Sequence, residues 1–196
     1  MIIPPIIHIV LWKHSSARAV IEKDVYRWTE VVAPPRLNLS LTANFIWLIT
    51  DRRLMEFRSL FYYRIASSKK FLAQILLPLA QFLLKPRDTL IIETPSVGSG
   101  LVIKHGANTI IQAEKIGENC MIFQDVTIGY KNPGGGLPVL GDHVHVSTGA
   151  KVLGPIRIGD YAIVAVNSVI TKDMPDHSTG GGVPARVILQ AGVTDI

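Results

Sequence analysis

Between residues 97 and 172 the apolar positions follow a period that fits neither a helix nor a surface strand. Aliphatic side chains recur at Ile110, Ile116, Ile122 and Ile128, then at Leu140, Val146, Val152, Ile158, Val164 and Ile170, always in steps of six or twelve. A helix repeats at about 3.6 residues and a half-buried strand at about 2, so a fixed six predicts a solenoid in which each hexad forms one side of a coil. Compact residues stand two places ahead of these positions (Cys120, Val126, Val144, Ala150, Ala162, Ser168), as a narrow interior requires. Glycine follows several of the aliphatic positions (Gly98, Gly117, Gly129, Gly141, Gly159), where the chain is expected to turn corners that a side chain would strain.

The period fails twice. After Val97 and Ile103 the next aliphatic position is Ile110, a step of seven, with the surplus residue inside Lys104-His105-Gly106-Ala107-Asn108-Thr109. An insertion in a tight coil is predicted to bulge and re-aim its side chains, and His105 lies in it. The second break is Tyr130 to Pro138 (YKNPGGGLP), a loop leaving a corner either in place of one side of a coil or in addition to it. The repeat stops at Lys172-Asp173-Met174-Pro175, and the tail from Gly180 to Ile188 is expected to fold back as a strap.

Ahead of the repeat the pattern turns helical, which divides the chain into residues 1–88 and 89–196. Met1 to Trp12 is apolar but holds Pro4 and Pro5 and no basic stretch, so it does not read as a signal peptide. A helix is predicted from a cap at Ser15 or Ser16 to about Val32, stopped by Pro34-Pro35. A second runs from about Thr42 to Ala66, broken near Asp51, and a third from about Ser68 to Leu84, flanked by Lys69, Lys70, Lys85 and Arg87. The apolar run Phe71 to Leu84 is 14 residues, short of the ~20 that cross a bilayer. It suits either a cap packed on the solenoid or a neighbouring subunit, or an interfacial surface within residues 40–88 that turns arginine and lysine toward anionic lipid.

Composition narrows the classes. With 48% hydrophobic and 18% charged residues, the chain folds rather than staying disordered. Its net charge of +5 is uneven: 13 Lys+Arg against 6 Asp+Glu up to Asp88, or +7, then 7 against 9, or −2. No nucleic-acid motif accompanies the basic half, so peripheral contact with a membrane is the expectation and nucleic acid is not. One cysteine, Cys120, allows no disulfide within the chain and suits a cytoplasmic protein, at most peripheral on the inner face of the membrane. Cys120 itself reads as a buried packing thiol.

Since a solenoid fills its interior with aliphatic side chains, chemistry is expected at its faults. The imidazole of His105, neutral near pH 7, is suited to take the proton of a hydroxyl as it attacks an acyl group. His143 and His145 stand too close in sequence for the ligand spacing of a β-helical zinc carbonic anhydrase, and no metal is expected.

Six segments then carry a resemblance: Gly100-Leu-Val-Ile-Lys-His-Gly, Lys115-Ile-Gly-Glu-Asn-Cys, Val126-Thr-Ile-Gly, Gly149-Ala-Lys-Val-Leu-Gly-Pro-Ile, Asn167-Ser-Val-Ile-Thr-Lys-Asp and Gly182-Val-Pro-Ala-Arg. Over about residues 95 to 190 the chain resembles serine acetyltransferase and, more broadly, the hexapeptide-repeat acyltransferases. Arg58 to Arg64 (RSLFYYR) further resembles the serine-acetyltransferase-like proteins of surface-polysaccharide clusters. The resemblance implies a mainly β fold, a left-handed parallel β-helix with an N-terminal α-helical region, assembled as a homotrimer. It also implies acetyl-coenzyme A bound between subunits. By the same resemblance His105 matches the general base, Thr148 and Gly149 the grip on the pantetheine arm, and Val166 and Asn167 the contact one coil on. Lys172 and Arg186 are candidates for the coenzyme phosphates.

Two positions depart from the family. Leu137 stands where serine acetyltransferases carry a second histidine, and Leu90 where they carry the aspartate that orients the base; Glu93 is the nearest acid in sequence. The missing second histidine at Leu137, with the basic apolar first half, directs the expectation to a sugar hydroxyl of a surface polysaccharide, of capsule or O-antigen type. Serine O-acetylation in cysteine biosynthesis is the alternative, and a non-enzymatic structural trimer the second.

Overall fold

The computed structural model describes residues 3–68 and 70–190, so Met1, Ile2 and Lys69 of the segments above lie outside the described residues. Two compact units divide the chain, Met1–Asp88 and Thr89–Ile196.

The first unit is helical: α1 (Ile3–His14), α2 (Arg18–Val32), α3 (Leu41–Thr50), α4 (Met55–Ala66) and α5 (Phe71–Leu83). The pattern had offered no element at α1, yet Pro4 and Pro5 fall in its first turn, where a missing amide hydrogen costs nothing. The expected serine cap of α2 is absent. Ala17 is the N-cap, Ser15 Oγ turns back to the Trp12 carbonyl and Ser16 bonds Ser68. Ser40 does cap α3, accepting from Ala43 N at 3.2 Å, and Asp51 ends it by accepting from Arg53 N at 2.9 Å.

The unit closes around Trp12, Trp28, Phe45, Phe57 and Phe61, all buried, with Trp12 and Phe45 rings 4.5 Å apart. Two of the arginines expected to face lipid, Arg58 and Arg64, point into this bundle instead, while Arg52 and Arg53 stay exposed. Arg58, buried, donates to the carbonyls of Ile49, Thr50 and Asp51, satisfying the open end of α3. Arg64 on α4 reaches Asp24 on α2 at 2.9 Å, both side chains within the interior. RSLFYYR is therefore a structural staple, and its two arginines are not turned toward lipid.

The second unit is a left-handed parallel β-helix. In chain order its strands are β1 (Leu90–Ile92), β2 (Val102–Ile103), β3 (Thr109–Ile111), β4 (Lys115–Ile116), β5 (Met121–Ile122), β6 (Thr127–Gly129) and β7 (Val139–Leu140). Then come β8 (His145–Val146), β9 (Lys151–Leu153), β10 (Arg157–Ile158), β11 (Ile163–Val164), β12 (Val169–Ile170), β13 (Ser178–Gly182) and β14 (Ala185–Gln190). One face stacks β1-β3-β6-β9-β12, a second β4-β7-β10, and a third β2-β5-β8-β11-β13. β14 returns antiparallel on β13 as the strap.

Inward columns form because paired strands hold the same register from coil to coil. Ile103, Ile122, Val146 and Val164 stack on the third face and Ile111, Ile128, Val152 and Ile170 on the first. Cys120, Val126, Val144, Ala150, Ala162 and Ser168 fill the corners between columns, fully enclosed. Burial pushes the Cys120 thiol up to about 12, which leaves it protonated and inert.

Three expectations change. Ile110 points outward and Ile111 inward, at 36% and 0% exposure, so the inward step from Ile103 is eight residues, not seven. The step from Ile111 to Ile116 is then five, and the two errors cancel in the sequence arithmetic. Secondly, the YKNPGGGLP loop is an addition. Ile128 to Leu140 spans twelve residues and Val152 to Ile158 six, yet both segments join the same two faces. Thirdly, Gly98, Gly117, Gly141 and Gly159 are needed for close approach. A Cβ there would lie 2.1–2.5 Å from the next coil, while the left-handed turn is borne two residues later by Gly100, Asn119, His143 and Tyr161.

Asp24→Ala strands Arg64 in the interior and should cost about 3–5 kcal/mol. Urea unfolding followed by tryptophan fluorescence measures it, because all three tryptophans lie in this unit.

Candidate functional site

In a three-faced coil the inward positions are filled, so groups with chemistry sit on the faces or along the edges. His105 occupies the edge between the third and first faces, in the lengthened corner. Lys104 N donates to Ile122 O at 2.8 Å and closes the regular ladder. The chain then departs: His105 adopts φ 54° and is exposed. Ala107 N donates back to its carbonyl, and Asn108 repeats the left-handed turn at φ 50°. Thr109 brings the chain back in, fully buried, with Oγ1 donating to Ala107 O at 3.0 Å and N to Thr89 O at 3.0 Å. Both flanks of the bulge are anchored while the imidazole is presented to solvent.

The same edge continues coil by coil. Asp125 N donates to Ala107 O (2.9 Å), Gly149 N to Gln124 O (3.0 Å) and Asn167 N to Thr148 O (2.9 Å). His105, Thr148, Gly149, Val166 and Asn167 thus lie on one line, with Val166 60% exposed. Gly149 has φ 74°, and a Cβ there would stand 2.0 Å from Asn167 Oδ1, so glycine is required twice over. Gln124 belongs to this edge and sequence reasoning passed over it. Its Oε1 is enclosed with no hydrogen-bond partner among the described residues. The period contained the signal: Gln124 stands four before Ile128, as Thr148 does before Val152 and Val166 before Ile170.

Lys172 and Arg186 come together beyond the last coil, lining a cavity of about 180 Å³ with Ile170, Asp173, Met174 and Gly180. Gly182 N donates to Ser168 Oγ at 3.2 Å, which ties the strap to the residue after Asn167.

Other expected neighbours are not neighbours. Glu93 follows β1 on the first face, where Gln112 Nε2 donates to its carboxylate at 2.5 Å, and Leu90 is 8% exposed in β1. Among the described residues none hydrogen-bonds the His105 imidazole. The glycine loop leaves the edge between the first and second faces, folding over Gly154 and Pro155 of the next coil. Leu137 there borders a cavity of about 270 Å³ with Glu114, Pro155 and Arg157. Within one chain, then, base and loop lie on different edges.

The third edge is structural. Asp142, Asp160 and Asp176 each accept from a backbone N–H one coil below, at 2.7–2.9 Å. Beside them the rings of His143, Tyr161 and His177 stack, 4.5 and 4.8 Å apart. His145 lies instead on the third face, stacked on Phe123 at 5.1 Å. The two histidines therefore do not converge, and among the described residues no group of three metal-binding side chains occurs. Burial, then the Lys104 ammonium, hold the His145 imidazole below the usual histidine range.

Compared with known proteins, the chain matches no family model. Over 100 residues, half of its length, it is 42% identical to serine acetyltransferase of Bacillus pumilus, covering 46% of that protein. It is 40% identical to that of Synechococcus elongatus over 100 residues, covering 41%. The chain thus spans under half the length of these curated relatives. Among solved structures, soybean serine acetyltransferase apoenzyme shares 26% identity over 88% of this chain and 69% of its own, with a TM-score of 0.65. The enzyme from Brucella abortus, 23% identical over 90% of this chain and 70% of its own at a TM-score of 0.66, shows the fold. These likenesses show a hexapeptide-repeat β-helix fold and a similarity to serine acetyltransferases that spans half of the chain.

They also correct the expected acceptor. Relatives at about 40% identity bear the name serine acetyltransferase, which favours the serine alternative over a surface-polysaccharide sugar. The grounds for the sugar were a single loop position, Leu137, and arginines taken as lipid-facing; Arg58 and Arg64 are interior, at 5% exposure each.

Two outcomes follow from this geometry. Gly149→Ala should cost about 2–3 kcal/mol in chemical unfolding, and Asn167→Gly in the same chain should restore part of it by removing the clashing amide. As pH falls below the ordinary histidine value of 6.5, the unfolded chain takes up a proton that folded His145 refuses. His145 therefore stabilises above that pH and loses its contribution as pH drops toward its lowered folded value. A His145→Phe variant should show a shallower fall of thermal midpoint with acid.

Proposed function

We propose that this chain transfers the acetyl group of acetyl-coenzyme A to the hydroxyl of serine, with His105 as general base. The observation that carries the reading is the roughly 40% identity to serine acetyltransferases over 100 residues. The exposed imidazole at the lengthened corner fits it, standing on the edge that Thr148, Gly149, Val166 and Asn167 continue.

The chemistry needs little beyond that edge. One imidazole nitrogen of neutral His105 accepts the serine hydroxyl proton as the oxygen attacks the thioester carbon. A backbone N–H of the edge steadies the oxyanion. Collapse expels the coenzyme as thiolate, which takes the proton from the imidazolium, leaving O-acetylserine, free thiol and neutral His105. The pantetheine arm runs past Thr148, Gly149, Val166 and Asn167, and the cationic pair Lys172 and Arg186 receives the phosphates; their shared cavity supports that assignment.

A homotrimer is part of the proposal. His105 and the glycine loop lie on different edges of one chain, and a neighbouring copy that lays its loop edge against the His105 edge puts both in one groove. Repeated around a threefold axis, that contact closes.

Thiol release from acetyl-coenzyme A should depend on added serine, and His105→Ala should lower kcat by about 10²–10⁴ while calorimetry still shows coenzyme binding. Absence of coenzyme binding, or turnover indifferent to serine, overturns the reading. Full activity in His105→Ala overturns the base.

A further inference from the structure

With Arg58, Arg64 and most aromatic residues of α4 turned inward, the exposed large apolar side chains of the helical unit gather on one helix, while Ile6, Tyr26 and Leu39 stand singly elsewhere. α5 buries Ala73 and Ala80. On its other side Phe71 (76% exposed), Leu72 (46%), Ile75 (55%), Leu79 (46%) and Phe82 (76%) stand clear. The spacing 72-75-79-82, with 71 beside 75, draws a single stripe along the helix. Five large apolar side chains in one exposed row exceed the scattered singles of an ordinary surface.

The helix is also held firmly from behind. The Tyr62 hydroxyl lies 2.6 Å from the Leu84 carbonyl and 3.0 Å from that of Ala80, while Arg58 Nη1 donates to Lys85 O at 3.3 Å. The stripe is thus a displayed face rather than a frayed end.

Charge indicates what covers it. No Asp or Glu occurs between Glu56 and Asp88, and exposed Lys70 and Lys85 close the two ends of the apolar run. Elsewhere in the unit Glu22, Asp24, Glu30, Asp51 and Glu56 each pair with an arginine, so none of these five acids offsets the lysines at the ends of α5. A second α5 laid antiparallel on the first would bring lysine to lysine with no acid between them. A lipid surface with anionic headgroups supplies both the apolar boundary and the counter-charge. Among the described residues no helix is long and apolar enough to cross a membrane, so α5 would lie in the plane.

We infer that α5 docks flat on an anionic lipid surface, with Phe71, Leu72, Ile75, Leu79 and Phe82 at the acyl boundary and Lys70 and Lys85 at the phosphates. This contact is separate from the transferase chemistry.

Flotation of the full chain with phosphatidylcholine vesicles, with and without phosphatidylglycerol, tests it. The chain should float with the anionic vesicles alone and be released at high salt. Phe71→Ser with Phe82→Ser should reduce bound protein by at least about tenfold, and Lys70→Gln with Lys85→Gln should abolish the preference for phosphatidylglycerol. Unchanged circular dichroism confirms that the variants fold, and the lysine pair, being wholly at the surface, keeps the test independent of the phenylalanines. No flotation, equal flotation with neutral vesicles, or a serine pair that lowers the oligomeric state without touching flotation each overturns the inference.

Discussion

Every amide of a short β-helical strand has to find a carbonyl on the coil above or below, because the strand is too short to satisfy itself in any other way. That requirement locks successive coils in register, from Ile103 over Ile122 to Val146 and Val164, and leaves room inside for one aliphatic side chain per face. The rest follows from the lock. Corners hold compact residues because nothing larger fits between columns. Glycines stand where one coil presses on the next, and aspartates at 142, 160 and 176 cap N–H groups that the turn leaves open.

A scaffold locked this way cannot vary inside, so its variation is pushed to the edges. Two extra residues at His105 and six at the glycine loop leave the registers around them intact. Because the surplus chain is exposed, it adds side chains without disturbing a column. The His105 corner shows how that works physically. Lys104 and Thr109 are both bonded into the ladder, and the residues between take left-handed turns that turn the imidazole outward. Base and loop thus stand on separate edges of one chain.

The helical unit obeys a different constraint. Its arginines look from sequence like a basic surface, but open carbonyls at the end of α3 and the buried carboxylate of Asp24 draw them inside. A buried cation needs such partners, and these partners come from helices far apart in sequence. With Arg58 and Arg64 committed inward, Lys70 and Lys85 are the charges left at the two ends of α5.

The solenoid was legible in the chain because a period of six is local: each residue reports its own place, and Ile116 through Ile170 needed no partner to be read. So were the break at His105, the loop at 130–138, the compact corners and the buried Cys120. What stayed hidden depends on which segments meet. Ile110 and Ile111 are both aliphatic, and only pairing with Thr127 and Ile128 shows which one points inward. Glu93 is near His105 in number but bonded to Gln112 in space. Arg58 and Arg64 revealed their roles only when the helices closed around them. A repeat encodes its own geometry, whereas a buried ion pair or a shared edge exists only after distant residues have been brought together.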